Sequence, residues 1–151
     1  MPNSRVVDVS VKEKSKPRPN GLNTVEMLRL ASSCLGIGPQ ACMVIAERLY
    51  TSGYFNYPRT ETTTYPPTFD LVGLVRQQAG HPIWGDVVKD LLATGLTPPR
   101  PGHDAGDHPP IVPMRLALPS ELSGDAVRLY ELVAKNFLAS VSEICICSPN
   151  I

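Results

Sequence analysis

Apolar residues recur at helical spacing in five stretches, separated by segments too rich in proline and glycine to continue them. In the first, Leu28, Ala31 and Leu35 share one face; Asn23 or Thr24 can cap it, Glu26 can return a bond to a free backbone N–H, and Gly36 ends it. Gly38-Pro39 opens the second, where Cys42 or Met43, Ala46, Leu49 and Tyr50 recur and Gly53 is the stop. The third, 68–78, relies on Phe69, Val72 and Val75 and is weakened by Gly73. The fourth places Trp84, Val87, Val88, Leu91 and Leu92 on one face before Gly95. The last starts near Gly124-Asp125, with Asp125 as cap, and turns Leu129, Tyr130, Val133, Phe137, Leu138 and Val141 inward. The fold class predicted is mainly α. The short GIG turn makes the first two helices a helix-turn-helix arrangement, which serves DNA binding and plain packing alike.

Between these stretches lie a possible strand and two unusual loops. Val6, Val7, Val9 and Val11 are β-branched with partial alternation and read as a short strand, followed by KEKSKPRPN, an extended basic connector. The prolines of TPPRPGHDAGDHPPIVP, 97–113, forbid both helix and ladder pairing. The loops GYFNYPRTETT, 53–63, and GHDAGDHPPI, 102–111, carry far more functional groups than connection alone requires, and form the candidate site.

With 151 residues the chain is sized for one domain plus a strip of a neighbour, and its net charge of +0 excludes a basic nucleic-acid coat protein or an acidic tail. Anion binding must then be local. The first twenty residues carry Arg5, Lys12, Lys14, Lys16 and Arg18 against Asp8 and Glu13, so this connector is either a solvated linker or a contact for phosphates. Four cysteines, Cys34, Cys42, Cys145 and Cys147, are too few and uneven for a disulfide framework. No run approaches the ~18 apolar residues of a membrane span, and no signal peptide opens the chain, so it is expected to be intracellular and without a membrane partner.

In the first loop Pro58 holds Tyr57 extended, with Arg59 and Thr60 just beyond. Phenols titrate near ~10, so a tyrosine nucleophile needs a nearby cation or metal, and a phosphate calls for a planar bidentate donor such as arginine. Together these groups suit phosphoryl transfer. The run RPNGLNTVEMLRLASSCLGIGPQACMVIAERLYTSGYFNYPRTETTTYP, with GHDAGDHPPIVPM and GDAVRLYELVAKNFLASVS downstream, resembles the nucleophile-bearing domain of type IA DNA topoisomerases, and within them topoisomerase III in its eukaryotic beta form. The resemblance spans Val6 to Ser142 in matching order and spacing.

The resemblance implies that Tyr57 attacks a phosphodiester of single-stranded DNA and becomes linked to the 5′ phosphate, and that Arg59 steadies the scissile phosphate. It implies supporting roles for Thr60 and Glu61, and a place for His108 beside the cleaved strand. It implies a multi-helical domain with catabolite-activator-like helix-turn-helix packing, at 21–142, with 1–20 as a strand and connector from an adjacent gate domain and 143–151 as a divergent tail. The family's magnesium (Mg2+) is held by an acidic toprim domain, so no ligands for it are expected here. A fragment without toprim and gate domains is expected to be inactive alone. Single-stranded DNA or RNA and those other domains are the implied partners, without a small-molecule substrate, and the nucleus is the implied location. The non-enzymatic alternative is a single-strand-binding or partner-binding helical module.

His103, Asp104, Asp107 and His108 also suggest a zinc site or a dinuclear phosphohydrolase. Metal-ligating His-Asp motifs generally ride on helices, whereas these residues occupy a Gly/Pro loop, and the reading is set aside. Cys145 and Cys147 are read as a buried strand or a chain end rather than ligands.

Overall fold

The computed structural model describes residues 19–67, 69–97, 99, 102–118 and 120–142. The strand expected at 6–11, the connector residues Lys12, Lys14, Lys16 and Arg18, and the cysteines Cys145 and Cys147 lie outside the described residues. Five α-helices dominate the described part: α1 Thr24–Leu30, α2 Pro39–Thr51, α3 Leu71–Gln77, α4 Gly85–Thr94 and α5 Asp125–Ser140. The fold is mainly α, as the periodicity predicts.

Asn23 caps α1, its side chain accepting from the Glu26 N–H at 2.8 Å. Glu26 does not return the bond; its carboxylate pairs with Arg29 one turn on. The helix widens into a π-helical turn over Ala31–Leu35 and stops at Gly36, whose φ of 69° is left-handed and suits a residue without Cβ. Pro39 then starts α2, and the axes of Thr24–Leu35 and Pro39–Thr51 bend by 113°.

Three local expectations need correction. Helix α3 begins at Leu71 rather than near residue 68, because Asp70 caps it by accepting from Gly73 N; Val72 then faces solvent and Leu74 joins Val75 inside. Asp125 is the first residue of α5 rather than its cap, which is Gly124, and its carboxylate pairs with Arg128. The proline-rich segment does pair its backbone at two isolated points, Leu22 with Ile111 and Phe55 with Pro113. Pro113 needs no N–H there, because Met114 N donates to Tyr54 O instead.

The core forms around α5. Leu129, Tyr130, Val133, Ala134, Phe137 and Leu138 are buried to 1% exposure or less, against Met27, Ala31, Cys42, Ala46 and Leu49 from α1, the π turn and α2. The leucine, valine, methionine and phenylalanine side chains among them contribute about 1.5–3 kcal/mol each on full burial. A buried polar chain joins the two halves. Trp84 Nε1 donates to Gln78 Oε1, Gln78 Nε2 donates to the Tyr130 hydroxyl, and that hydroxyl donates to Arg115 O while accepting from Ala117 N. Every polar atom in that chain is satisfied, so it orients the core instead of weakening it. It also fixes 115–117, the stem of the loop that carries His108.

His81 is 3% exposed and stacks on Trp84 with ring centroids 3.6 Å apart. Its Nδ1 accepts from Ile83 N, and its buried Nε2 has no hydrogen-bond partner. Burial, followed by the charge of Lys135, lowers its pKa below the usual histidine value. As pH falls through ~6.5 the unfolded chain takes up a proton that the folded chain resists, so folding stability must decline. Thermal melts from about pH 7.5 to 5.5 should show the midpoint falling, with a shallower fall in His81→Gln; identical slopes would place the acid sensitivity elsewhere.

Candidate active site

Tyr57 lies in a loop that has neither a helical nor a sheet ladder for its backbone groups, so each must be satisfied by a neighbouring segment. The first neighbour is the start of α1. Thr24 N, one of the donors a helix leaves free at its N-terminus, bonds Thr60 O, while Thr24 Oγ1 donates to Pro58 O at 2.7 Å and accepts from Thr60 N at 2.8 Å. Residues 58–60 are thereby fastened to the helix end, with Pro58 and Thr60 buried.

The second neighbour is the 102–112 loop. Asn56 grips it with both ends of its amide: Nδ2 donates to Pro110 O at 2.8 Å and Oδ1 accepts from Val112 N at 3.0 Å. Asp107 ties the other side. Its carboxylate accepts from Thr62 Oγ1 at 2.7 Å, Glu61 N at 2.9 Å and Thr60 Oγ1 at 3.2 Å. Thr63 N donates to His103 O, and His103 N donates to Thr63 Oγ1. The loops approach so closely that a Cβ on Gly102 would sit 2.5 Å from Thr63 O, which explains the glycine. At the far end of the Tyr57 loop, burial pushes the Tyr65 phenol up to about 12; its hydroxyl is hydrogen-bonded to Ser140 of α5.

This knot sets the residue after Asp107 beside Tyr57. The His108 and Tyr57 rings are 4.4 Å apart, and Tyr50 from the last turn of α2 meets Tyr57 edge-on at 5.3 Å. Tyr50, expected in the core, is 41% exposed and helps to wall an open cleft of about 620 Å³ together with Phe55, Tyr57, His108 and Met114. Arg59 projects from the loop onto α2, where its Nε donates to Glu47 Oε2 at 2.8 Å and its Nη2 contacts the same oxygen. At 56% and 45% side-chain exposure this pair contributes about 0–1 kcal/mol to stability. Its consequence is for where the guanidinium points.

The sequence-derived candidates therefore fall into two groups. Tyr57, Thr60, Glu61 and His108 are brought together, Thr60 through its hydroxyl, which also donates to His108 O, and Glu61 through its backbone N–H, while Arg59 projects onto α2 and meets Glu47. The basic residues of 12–18 lie outside the described residues. Glu47 and Asn56 do not stand out in the sequence, and Thr24, Tyr50 and Asp107 stand out there only as a possible cap, a helix-face residue and a possible metal ligand. Glu47 and Tyr50 lie one helical turn apart at the end of α2, a spacing the sequence does carry. His103, Asp104, Asp107 and His108 form no metal cluster. Among the described residues no group of three or more His, Cys, Asp or Glu side chains could hold an ion, Asp107 being committed to the Thr60–Thr62 stretch and Asp104 to Gly106 N. The residues here do not fit a magnesium ion.

A tyrosine and a histidine thus meet, with an arginine two residues from the tyrosine, on interlocked loops of a helical domain. The chain matches the DNA topoisomerase family over residues 2–149 and belongs to it. Among its relatives, mouse DNA topoisomerase 3-beta-1 is 65% identical over 136 residues, 90% of this chain and 16% of the relative; human DNA topoisomerase 3-beta-1 is 63% identical over 142 residues, again 16% of its length. Mouse DNA topoisomerase 3-alpha is less similar, at 46% over 143 residues and 14% of its length. The type IA, topoisomerase III beta-like resemblance of the sequence is thus borne out. The chain spans about 16% of the length of the beta relatives.

Hydrogen bonds from Thr62, then Glu61 N, hold the Asp107 carboxyl below the usual carboxylate range. The knot is therefore complete above ~pH 4 and is lost as pH falls through the lowered value. Hydrogen exchange at the Glu61 amide should stay slow from neutral pH to about pH 4.5, after correction for intrinsic rates, and should accelerate in Asp107→Ala. Equal protection in the variant would show that Asp107 is not what holds the Glu61 amide.

Proposed function

We propose that Tyr57 is the nucleophile of a type IA topoisomerase III, acting on single-stranded DNA, with RNA as a further substrate. The observation that carries this reading is the Tyr57–His108 juxtaposition in a chain of the DNA topoisomerase family. In the proposed step the Tyr57 oxygen bonds to phosphorus and gives up its proton, the bond from phosphorus to the 3′ oxygen breaks, and that oxygen takes a proton as it leaves. A 5′-phosphotyrosine ester remains, and the released 3′ hydroxyl reverses the step. The bond energy is conserved in the ester, so no ATP is consumed. Arg59 stabilises charge on the equatorial phosphate oxygens, and His108 donates to phosphate or to the cut strand.

Residues 21–142 serve in this reading as the nucleophile domain, their 113° helix bend supporting a helix-turn-helix packing, and 1–20 as a connector to a gate domain. Magnesium and the acid for the leaving oxygen come from a toprim domain, since the residues described here do not fit the ion. The proposed location is the nucleus.

The test uses a chimaera in which this chain replaces the matching segment of mouse DNA topoisomerase 3-beta-1. Single-stranded oligonucleotide should become covalently captured on a denaturing gel. Tyr57→Phe should abolish capture while non-covalent binding stays within about threefold, since only a hydroxyl is lost. Arg59→Lys should slow cleavage by ~100-fold, because a point charge cannot reproduce the guanidinium fork. Binding without capture in the unmodified chimaera would favour the non-catalytic binding module.

A further inference from the structure

Glu47 and Tyr50 stand one turn apart on α2, and each meets a different functional group of the neighbouring loop. Tyr50 meets the ring of Tyr57 edge-on at 5.3 Å. Glu47 takes Arg59, and the way it does so is specific. Nε at 2.8 Å and Nη2 share the single oxygen Oε2, so the carboxylate covers one long edge of the guanidinium. Arginine offers five N–H donors around a plane, and the edge formed by Nη1 and the outer side of Nη2 carries no other bond among the described residues. That edge has the fork geometry that matches two phosphate oxygens. The pair is too exposed to matter for folding, yet it removes rotamer freedom from a long side chain two residues beyond the nucleophile.

Resting on the reading of Tyr57 as nucleophile, we propose that Glu47 is a positioning residue: it holds Arg59 by the Nε edge so that the Nη1–Nη2 edge is aimed at the phosphodiester that Tyr57 attacks. Helix α2 then acts as a template, setting the nucleophile ring through Tyr50 and the phosphate clamp through Glu47. Glu47 touches neither the phosphate nor the reacting atoms. Its negative charge beside a phosphate site opposes ground-state binding, so its value lies in orientation. The signature is therefore a split between rate and affinity, which neither a binding residue nor a purely structural one would give.

The test measures single-turnover cleavage in the chimaera, non-covalent affinity in the Tyr57→Phe background, and thermal midpoint. Glu47→Ala should slow cleavage by ~10-fold while affinity for the oligonucleotide is unchanged or tighter and the midpoint is unmoved. Glu47→Gln, whose amide oxygen can accept the same bonds, should recover cleavage to within about threefold of the parent. Cleavage by Glu47→Ala equal to or faster than the parent overturns the proposal, making Glu47 a competitor for Arg59. So does a glutamine variant as slow as the alanine one, or a loss of affinity in step with rate. A parent chimaera that fails to capture DNA refutes the nucleophile reading and this proposal with it, whereas capture that is indifferent to Glu47 refutes this proposal alone.

Discussion

The hydrogen bonds that join the Tyr57 loop to the 102–112 loop are the constraint on which the site depends. A loop without regular secondary structure leaves most of its donors to be met by neighbouring segments, and leaving them unpaired as it packs down costs about 1–3 kcal/mol each. Asp107 resolves this for Thr60, Glu61 and Thr62 together, Asn56 does so for the backbone at 110–112, and Thr24 does so for 58–60. Two loops that would otherwise sample many arrangements are reduced to one. Tyr57 and His108 meet because each is adjacent in sequence to a tied residue.

The helices supply the frame for that knot. Helix α5 is buried along most of one face, and the Trp84–Gln78–Tyr130 chain carries its position out to Arg115 and Ala117. From there the backbone bonds at Ile111, Val112 and Met114 lead directly to His108. Helix α1 presents its free N-terminal donor to the Tyr57 loop, and α2 presents Glu47 and Tyr50. Packing energy gathered in the core thus becomes positional order at a half-exposed tyrosine on a loop.

Much of the fold was legible in the sequence because helices are written locally. Every inward residue named for α5 is buried, and Gly36 and Gly53 end their helices at φ of 69° and 88° as their lack of a Cβ suggests. The errors are also local in kind. Tyr50 follows the apolar spacing of α2 yet sits in its last turn, where an aromatic ring can face a loop instead of the core. Asp125 looked like a cap yet is the first residue of its helix, while Asp70, not read as a cap, is one; only backbone geometry separates the two. The Tyr57-Pro58-Arg59 loop stood out through its chemistry and its family resemblance. Its partners did not, because Asp107 lies 45 residues from Thr62 and Glu47 lies 12 from Arg59, separations that no periodic pattern encodes.

The central claim is that this architecture delivers one particular hydroxyl to phosphorus. The most direct measurement is peptide mapping by mass spectrometry of the chimaera after trapping on a single-stranded oligonucleotide and digesting the DNA to a short remnant. The account predicts a nucleotide adduct on Tyr57 alone among Tyr50, Tyr54, Tyr57 and Tyr65. An adduct on Tyr50 or Tyr54, or trapped DNA with Tyr57 unmodified, would contradict it.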